Sequence, residues 1–120
     1  MAGRPTQATR GVSVDTQLWL ALQALADPVR LRIVALLRQR EQCVCHLTEE
    51  LGLSQGTISH HMGILRRVGL VQVRRDPSDA RWAYYRLDRE GLAALQTALA
   101  ELLDISETDA TPAECCERVQ

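Results

Sequence analysis

The stretch that decides the fold is residues 45–68, CHLTEELGLSQGTISHHMGILRRV. It predicts a short helix from Cys45 to Leu51, which ends at Gly52 because a residue without a Cβ permits a sharp turn. It then predicts a second helix, capped by Ser54, that runs from Gln55 to about Val68. The apolar side chains of this second helix form one narrow stripe, Ile58, Met62 and Leu65. Two helices joined in this way are typical of a helix-turn-helix.

The opposite side of the second helix is polar. Its residues are Gly56, Ser59, His60, Gly63 and Arg67. Glycine lets a helix approach another surface closely, and hydroxyl, imidazole and guanidinium groups donate hydrogen bonds to base edges or phosphates. The second helix of a helix-turn-helix enters the major groove, so we interpret this side as a DNA-contacting face. His61 projects nearer the apolar stripe, and we interpret it as a packing or flanking residue.

Two helices are predicted before this unit. The first runs from Val14 to Leu25, with Leu18, Leu22 and Leu25 on one face. The second begins at Asp27-Pro28, a capping carboxylate followed by proline at the first helical position, and runs to about Arg40. Its inward residues are predicted to be Ile33, Leu36 and Leu37.

A β-hairpin is predicted after the unit. Residues 71–73 and 81–87 alternate between apolar and polar side chains, and the intervening Asp-Pro-Ser-Asp at 76–79 indicates a turn. Three arginines lie around its tip, Arg74, Arg75 and Arg81. A basic hairpin beside a helix-turn-helix forms a wing, so the sequence predicts a winged helix-turn-helix of the α+β class, mostly α.

The last predicted helix runs from Glu90 to Leu103. It carries an apolar stripe that needs a partner, Leu92, Leu95, Leu99 and Leu102. One recognition helix reads only a few base pairs, so specific binding normally requires two copies about one DNA turn apart. We therefore expect a homodimer, with this stripe as its seam.

Composition and terminal segments indicate where the protein resides. With 46% hydrophobic and 24% charged residues the balance is that of an ordinary soluble domain. No apolar run approaches the roughly 18 to 20 residues of a membrane span, and the amino terminus lacks the layout of a secretory signal. We expect a cytoplasmic protein with no membrane partner. Residues 1–12 are expected to form a flexible arm, 13–104 the DNA-binding and dimerisation domain, and 105–120 a mobile acidic tail.

The net charge of −1 hides an uneven distribution. Residues 28–89 hold 11 Arg against 6 acidic residues, whereas residues 90–120 hold 1 Arg against 7 acidic residues. A basic middle region suits double-stranded DNA as a partner.

Three segments together resemble the ArsR/SmtB family of metal-responsive repressors. They are LADPVRLRIVALL at 25–37, SQGTISHHMGILRRVGLV at 54–71 and DARWAYYRL at 79–87, and the resemblance covers about Leu18 to Leu103. It implies a homodimer that represses without a permanently bound cofactor and releases DNA when an inducer binds. The implied DNA-facing residues are Ser54, Gln55, Thr57, Ser59, His60 and Arg67. To these we add expected phosphate contacts from Arg66, Arg74, Arg75 and Arg81.

The four cysteines occur as two close pairs, Cys43 with Cys45 and Cys115 with Cys116. In a reducing compartment such thiols serve metal binding or redox sensing rather than a disulfide framework. Cys43-Val44-Cys45 resembles the paired thiols of arsenic- and cadmium-sensing family members. Residues two apart on a helix point about 200° apart, so both sulfurs reach one ion only if the helix start is frayed or distorted. We therefore expect ligation to reshape this helix start, shift the DNA-reading unit and lower operator affinity.

Thiolates select soft acceptors, so As(III), Sb(III) or Cd(II) is the inducer that the resemblance implies. Many arsenic sensors carry a third cysteine where this sequence has Thr48. Cys115 or Cys116, on the tail of the same or the other subunit, is expected to complete a three-thiol metal site. The alternatives are a separate two-thiol site and an incidental terminal pair. The zinc site of other family members is not expected, because the last helix has no histidine. His46 adjoins the thiols and is an alternative ligand, but it is expected on the solvent side of its short helix.

Two other functions would use the same residues differently. A thiol redox or reactive-sulfur sensor of the same fold would form disulfides or persulfides at these cysteines instead of binding metal. An enzyme is not expected, because the sequence has no Walker loop and no zinc-hydrolase motif, and because Ser59 and His60 project 100° apart on one helix.

Overall fold

The helices begin at capping side chains that can be read in the sequence. The computed structural model describes residues 15–108 and 111–113. Its elements are α1 (Thr16–Leu25), α2 (Pro28–Gln39), β1 (Gln42–Cys43), α3 (Val44–Leu51), α4 (Gln55–Arg67), β2 (Val71–Arg75), β3 (Ala83–Leu87) and α5 (Arg89–Leu102). The side chains of five residues accept backbone N–H groups at helix starts, Asp15, Asp27, Cys43, Ser54 and Asp88.

The turn between α3 and α4 forms as the sequence predicts. Gly52 has φ 67°, the left-handed conformation that glycine adopts most easily, and its N–H donates to the carbonyl of Thr48 at 2.8 Å. Ser54 then caps α4 by accepting the N–H of Thr57. The winged helix-turn-helix prediction is confirmed.

Some predicted bounds and inward residues differ from the structure. The helix α3 begins at Val44, and β3 begins at Ala83 because Asp76 accepts the N–H groups of residues 78 and 79 and extends the turn. In α1 the buried residues are Leu18, Ala21 and Ala24. Leu22 and Leu25, predicted to lie inward beside Leu18, are only partly buried, and so is Leu36 of α2.

The sheet contains one strand that the sequence did not predict. The strand β1 joins the wing hairpin, giving an antiparallel sheet with the order β1-β3-β2, in which Cys43 pairs with Tyr84. Gln42 is 5% exposed and its Nε2 donates to the carbonyl of Leu36, which fastens β1 to α2. The wing is therefore linked through β1 to the residues that begin α3.

The core lies under α4. The largest fully buried side chains include the whole predicted apolar stripe of this helix and neighbours from α2, α3 and the turn between α4 and β2, namely Ile33, Leu47, Ile58, Met62, Leu65 and Leu70. The helix α5 differs, because none of its residues is fully buried in the single chain. Leu92 and Leu95 pack against the core, and Leu99 and Leu102 remain partly exposed.

Parts of the predicted termini cannot be compared with the structure. The expected arm, residues 1–12, lies outside the described residues, as do residues 109–110 and 114–120 of the expected tail. Within the described part of the chain, no helix is both long and apolar enough to cross a membrane.

Candidate DNA interface and thiol site

The DNA-facing residues predicted on α4 are mostly exposed. Five of them are open to solvent, Gln55, Ser59, His60, Arg66 and Arg67, as is the cap residue Ser54. Thr57 is half-buried, and its hydroxyl lies 2.9 Å from that of Ser54. The exposed side chains lie along one side of α4, and the buried stripe of Ile58, Met62 and Leu65 packs the opposite side against the core. This arrangement suits a helix that lies in the major groove.

Arg30 of α2 contacts α4 through His61. Its Nε donates to the carbonyl of Ala24, its NH1 lies 3.0 Å from Nδ1 of His61, and it forms a 3.9 Å ion pair with Asp27. Burial lowers the pKa of His61, and the nearby guanidinium of Arg30 adds to this. The neutral imidazole can accept a hydrogen bond from Arg30 at Nδ1, so the two groups suit each other. His61 therefore lies against α2, as its position on the wheel indicated.

The three wing arginines each have a partner within the chain. Arg74 donates to Glu41 through Nε and NH2, at 3.2 and 2.6 Å, and its guanidinium lies 4.9 Å from the centre of the Tyr84 ring. The hydrogen bond from Arg74 lowers the pKa of Glu41. In the turn, Arg81 donates to Asp79, with a shortest distance of 2.7 Å.

Arg75 donates to the carbonyl of Ala80 at 3.3 Å. The wing therefore carries positive charge. The ion pair between Arg74 and Glu41 must break before the whole Arg74 guanidinium can bind a phosphate.

The thiols of Cys43 and Cys45 lie together at the start of α3. They form a disulfide, with 5.4 Å between the two Cα atoms. From the sequence, two such sulfurs were expected to meet only at a frayed or distorted helix start. The structure places Cys43 before the helix, at the cap position, with an extended backbone (φ −84°, ψ 162°) and its sulfur 3.3 Å from the N–H of His46. The sulfurs therefore converge while α3 stays intact.

A cleft of about 560 Å³ connects the thiols to the DNA-reading elements. The start of α4 contributes Ser54, Gln55 and Ser59 to its walls, and the wing contributes Arg75, Arg81 and Trp82. Leu53, Val44 and Tyr85 supply apolar surface. A group bound to the two sulfurs would therefore lie against both elements that the fold uses to contact DNA.

When the bond between Cys43 and Cys45 is reduced, the donor set of the described residues fits a soft ion through two thiolates. Thr48, at the position of a third cysteine, donates its hydroxyl hydrogen to the carbonyl of Cys45 at 2.7 Å. His46 is exposed, as expected. Within residues 15–108 and 111–113, no three His, Cys, Asp or Glu side chains are grouped so as to hold a metal ion. Cys115 and Cys116, the predicted source of a third thiolate, lie outside the described residues.

Sequence reasoning missed several residues of this region. Glu41 and Arg74 are 33 residues apart, and no local pattern links them. Trp82 is 46% exposed in the wall of the thiol cleft, and its place beside Arg81 in the wing was the only signal available.

Comparison with known proteins identifies the family. The family model for "Bacterial regulatory protein, arsR family" matches residues 27–73, from the cap of α2 into β2. The arsenic resistance transcriptional regulator ArsR1 of Pseudomonas putida is 36% identical over 107 residues, which are 84% of this chain and 81% of that protein. The chain belongs to the arsR family. It is therefore a regulatory protein and not an enzyme, as expected.

Solved structures of relatives have the same fold. A possible transcriptional regulator for arsenical resistance is 39% identical, with a TM-score of 0.60, over 73% of this chain and 84% of that one. A homodimeric winged helix-turn-helix DNA-binding domain from Mycobacterium bovis, described as a possible ArsR-family regulator, is 31% identical, with a TM-score of 0.59, over 74% of this chain and 80% of that one. The arsR-family assignment thus agrees with the winged helix-turn-helix geometry described above.

Proposed function

We propose that this arsR-family protein is a repressor that binds operator DNA as a homodimer and dissociates when As(III), Sb(III) or Cd(II) binds to its cysteine thiolates. The observation that carries the proposal is the shared cleft: the sulfurs of Cys43 and Cys45 open onto the same space as the start of α4 and the wing. The names of two relatives, which refer to arsenic resistance and arsenical resistance, support the choice of inducer.

The proposed switch acts through the start of α3. Thiolates prefer soft ions. Once the disulfide is reduced, bound As(III), Sb(III) or Cd(II) would replace the thiol protons of Cys43, which caps α3 and lies in β1 of the wing sheet, and of Cys45 in the first turn of α3. A change at Cys43 is transmitted to Tyr84 in β3 by the backbone pairing, and a change at Cys45 to the helix that precedes α4. A coupling of about 1 to 3 kcal/mol between the two sites would suffice for an allosteric release of DNA. We further propose that Cys115 or Cys116 supplies a third thiolate.

The test is fluorescence anisotropy with DNA from the protein's own promoter, in a phosphine reductant, titrated with arsenite, Cd(II) and Zn(II). Wild type is compared with Cys43→Ser and with the double variant Cys115→Ser/Cys116→Ser. We expect arsenite to release the wild type, Cys43→Ser to stay bound, and the double variant to respond weakly. Retention of DNA by the wild type with every ion would refute the metalloid switch.

A second function is favoured by one observation, the bond between Cys43 and Cys45. A redox or reactive-sulfur sensor would release DNA when an oxidant or sulfane sulfur converts these thiols to a disulfide or persulfide. The anisotropy assay separates the two functions when it is repeated anaerobically after the reductant is removed, because a mild oxidant then dissociates the complex while arsenite and Cd(II) leave it intact.

A further inference from the structure

A second cleft, lined by arginines, is not used by the proposed DNA interface. It measures about 720 Å³ and lies between the end of α2, the strand β3 and the first turns of α5. Its charged side chains are Arg38, Arg40, Arg86, Arg89 and Glu41. Of the described residues, none from α4 lines it. We call it the arginine cleft.

The positive charge of the arginine cleft is only partly offset within the described part of the chain. All four arginines are exposed, and no carboxylate within residues 15–108 and 111–113 forms an ion pair with them, although Glu41, whose pKa is lowered chiefly by Arg74, lies near enough to Arg86 for that pKa to be lowered further. Arg86 donates to a neutral partner, the side-chain oxygen of Gln72, at 3.0 Å. Glu41 is engaged by Arg74 on the wing side. Four guanidinium groups around one concave surface suit carboxylates, which they can bind in a bidentate way.

The chain itself carries a segment of complementary charge. Residues 104–120 hold five acidic residues against one arginine, and the sequence Glu114-Cys115-Cys116-Glu117 places a carboxylate on each side of two thiols. We propose that this acidic cysteine segment docks in the arginine cleft and thereby brings Cys115 and Cys116 to the thiols of Cys43 and Cys45. The inference rests on the proposed function for its purpose, but the docking can be tested without DNA or metal.

The distances allow this return. The cleft lies at the amino end of α5, whose 14 residues span about 21 Å at 1.5 Å per residue. Residues 104–108 form turns in the structure, with Asp104 N–H donating to Glu101 and Thr108 N–H to Ile105, so docking requires these turns to open. Once they open, the twelve residues from Leu102 to Glu114 reach at most about 40 Å. A chain that leaves the far end of α5 can therefore run back along the helix to Arg89.

The arginine cleft also adjoins the thiols. Gln39, Arg40 and Glu41 line both this cleft and a neighbouring hollow that contains Cys43 and His46. A segment held by Arg40 at its glutamates would present the cysteines between them toward Cys43. The docking therefore supplies a third thiolate to a site at which this sequence has Thr48 and many arsenic sensors have a cysteine.

The test is disulfide trapping in the full-length protein. The reduced protein is treated briefly with diamide, which takes up the two electrons and two protons that two thiols lose, and mass spectrometry counts the links from Cys43 or Cys45 to Cys115 or Cys116. We expect Arg40→Gln/Arg89→Gln to lower the yield of these links about three- to tenfold at low salt, and wild type to lose them similarly when NaCl is raised to about 1 M. The matched control Arg66→Gln/Arg67→Gln removes the same charge from α4 and should leave the yield unchanged.

Charge reversal makes the experiment specific. Glu114→Lys/Glu117→Lys should lower the yield, and adding Arg40→Glu/Arg89→Glu to that variant should restore it. If Arg40→Gln/Arg89→Gln instead weakens operator binding and leaves the links unchanged, the cleft contacts DNA phosphate and the docking is refuted. The docking and the metalloid switch can fail separately. If the links respond as expected but arsenite does not release the protein from DNA, the docking is upheld and the metalloid switch is refuted.

Discussion

At the scale of single residues, Cys43 combines a helix cap with a thiol. Its sulfur accepts the N–H of His46 at 3.3 Å, and serine is a better capping residue than most. We expect Cys43→Ser, measured by urea unfolding under reducing conditions, to be as stable as wild type or more stable by up to about 1 kcal/mol. Cys43→Ala should lose about 1 kcal/mol, because it leaves that N–H without its cap. A Cys43→Ser protein that unfolds much more easily would show that the sulfur packs rather than caps.

His61 makes stability depend on pH. Its folded-state pKa lies below the ordinary value of 6.5, first because burial disfavours the charged ring. As the pH falls below about 6.5 the unfolded chain takes up the proton first, so the free energy of unfolding should decrease from pH 7 toward pH 5.

Unfolding curves across this range, with His61→Gln and the exposed control His46→Gln, check the assignment. A glutamine amide keeps an acceptor for Arg30 but does not titrate, so we expect His61→Gln to flatten the slope and His46→Gln to preserve it. Equal slopes in all three proteins would contradict the role given to His61.

At the scale of elements, two helical glycines should respond oppositely to alanine. A Cβ at Gly91 in α5 would overlap the carbonyl oxygen of Gly69, which is backbone and cannot turn away, whereas a Cβ at Gly63 in α4 meets nothing within 4 Å. Because alanine is favoured over glycine inside helices by roughly 1 kcal/mol, Gly63→Ala should stabilise the fold by up to that amount. Gly91→Ala should destabilise it by about 1 to 3 kcal/mol.

Thermal unfolding measures both effects, and operator binding adds a second readout for Gly63. If this side of α4 approaches DNA closely, Gly63→Ala should bind the operator more weakly although it is more stable. Unchanged affinity would mean that the helix leaves room for a methyl group there.

Glu41 restrains the wing. It holds Arg74 by two hydrogen bonds, which lower the pKa of Glu41 and compete with any phosphate for the same guanidinium. We expect Glu41→Gln to raise operator affinity about two- to fivefold, an effect the size of a surface ion pair, and to steepen the dependence of log K on log salt by about 0.9. Affinity titrations at several salt concentrations measure both. An unchanged slope would indicate that Arg74 does not meet phosphate.

The elements also show which features a sequence reveals. The caps Asp27 and Ser54 and the turn at Gly52 were predicted correctly, because each acts on backbone within three or four residues. The strand β1 was missed, since two residues, Gln42 and Cys43, are too short to show an alternating pattern, and their partners in β3 are about 40 positions away. The placement of the two sulfurs depends on that strand. The cysteines could therefore be recognised as a thiol pair, but their convergence without loss of helix could not be predicted.

At the scale of the whole molecule, the carboxy-terminal half of the α5 stripe requires a partner, because Leu92 and Leu95 pack against the core of their own chain whereas Leu99 and Leu102 stay partly exposed. The helix carries a leucine stripe, yet none of its residues is fully buried in one chain. Around the helix, Leu99 lies within the stripe and Thr97 lies on the opposite side. We expect Leu99→Arg to convert the dimer to a monomer in sedimentation velocity, because a guanidinium in an apolar interface leaves a charge without a partner. Thr97→Arg, which adds the same side chain, should remain dimeric.

Dissociation of the dimer should also weaken operator binding. A monomer contacts one half-site, so Leu99→Arg should lose at least about 100-fold in operator affinity while its helical content, followed by circular dichroism, stays near that of wild type. Its arsenite binding, measured by titration of free thiols, is compared with that of the wild-type dimer. If the wild type protects three thiols per chain, three in the monomer indicate that the same chain supplies the third thiolate, and two indicate that the partner chain donated it; two in both proteins indicate a two-thiol site. A Leu99→Arg protein that remains dimeric and bound to operator would place the subunit interface elsewhere than on the leucine stripe.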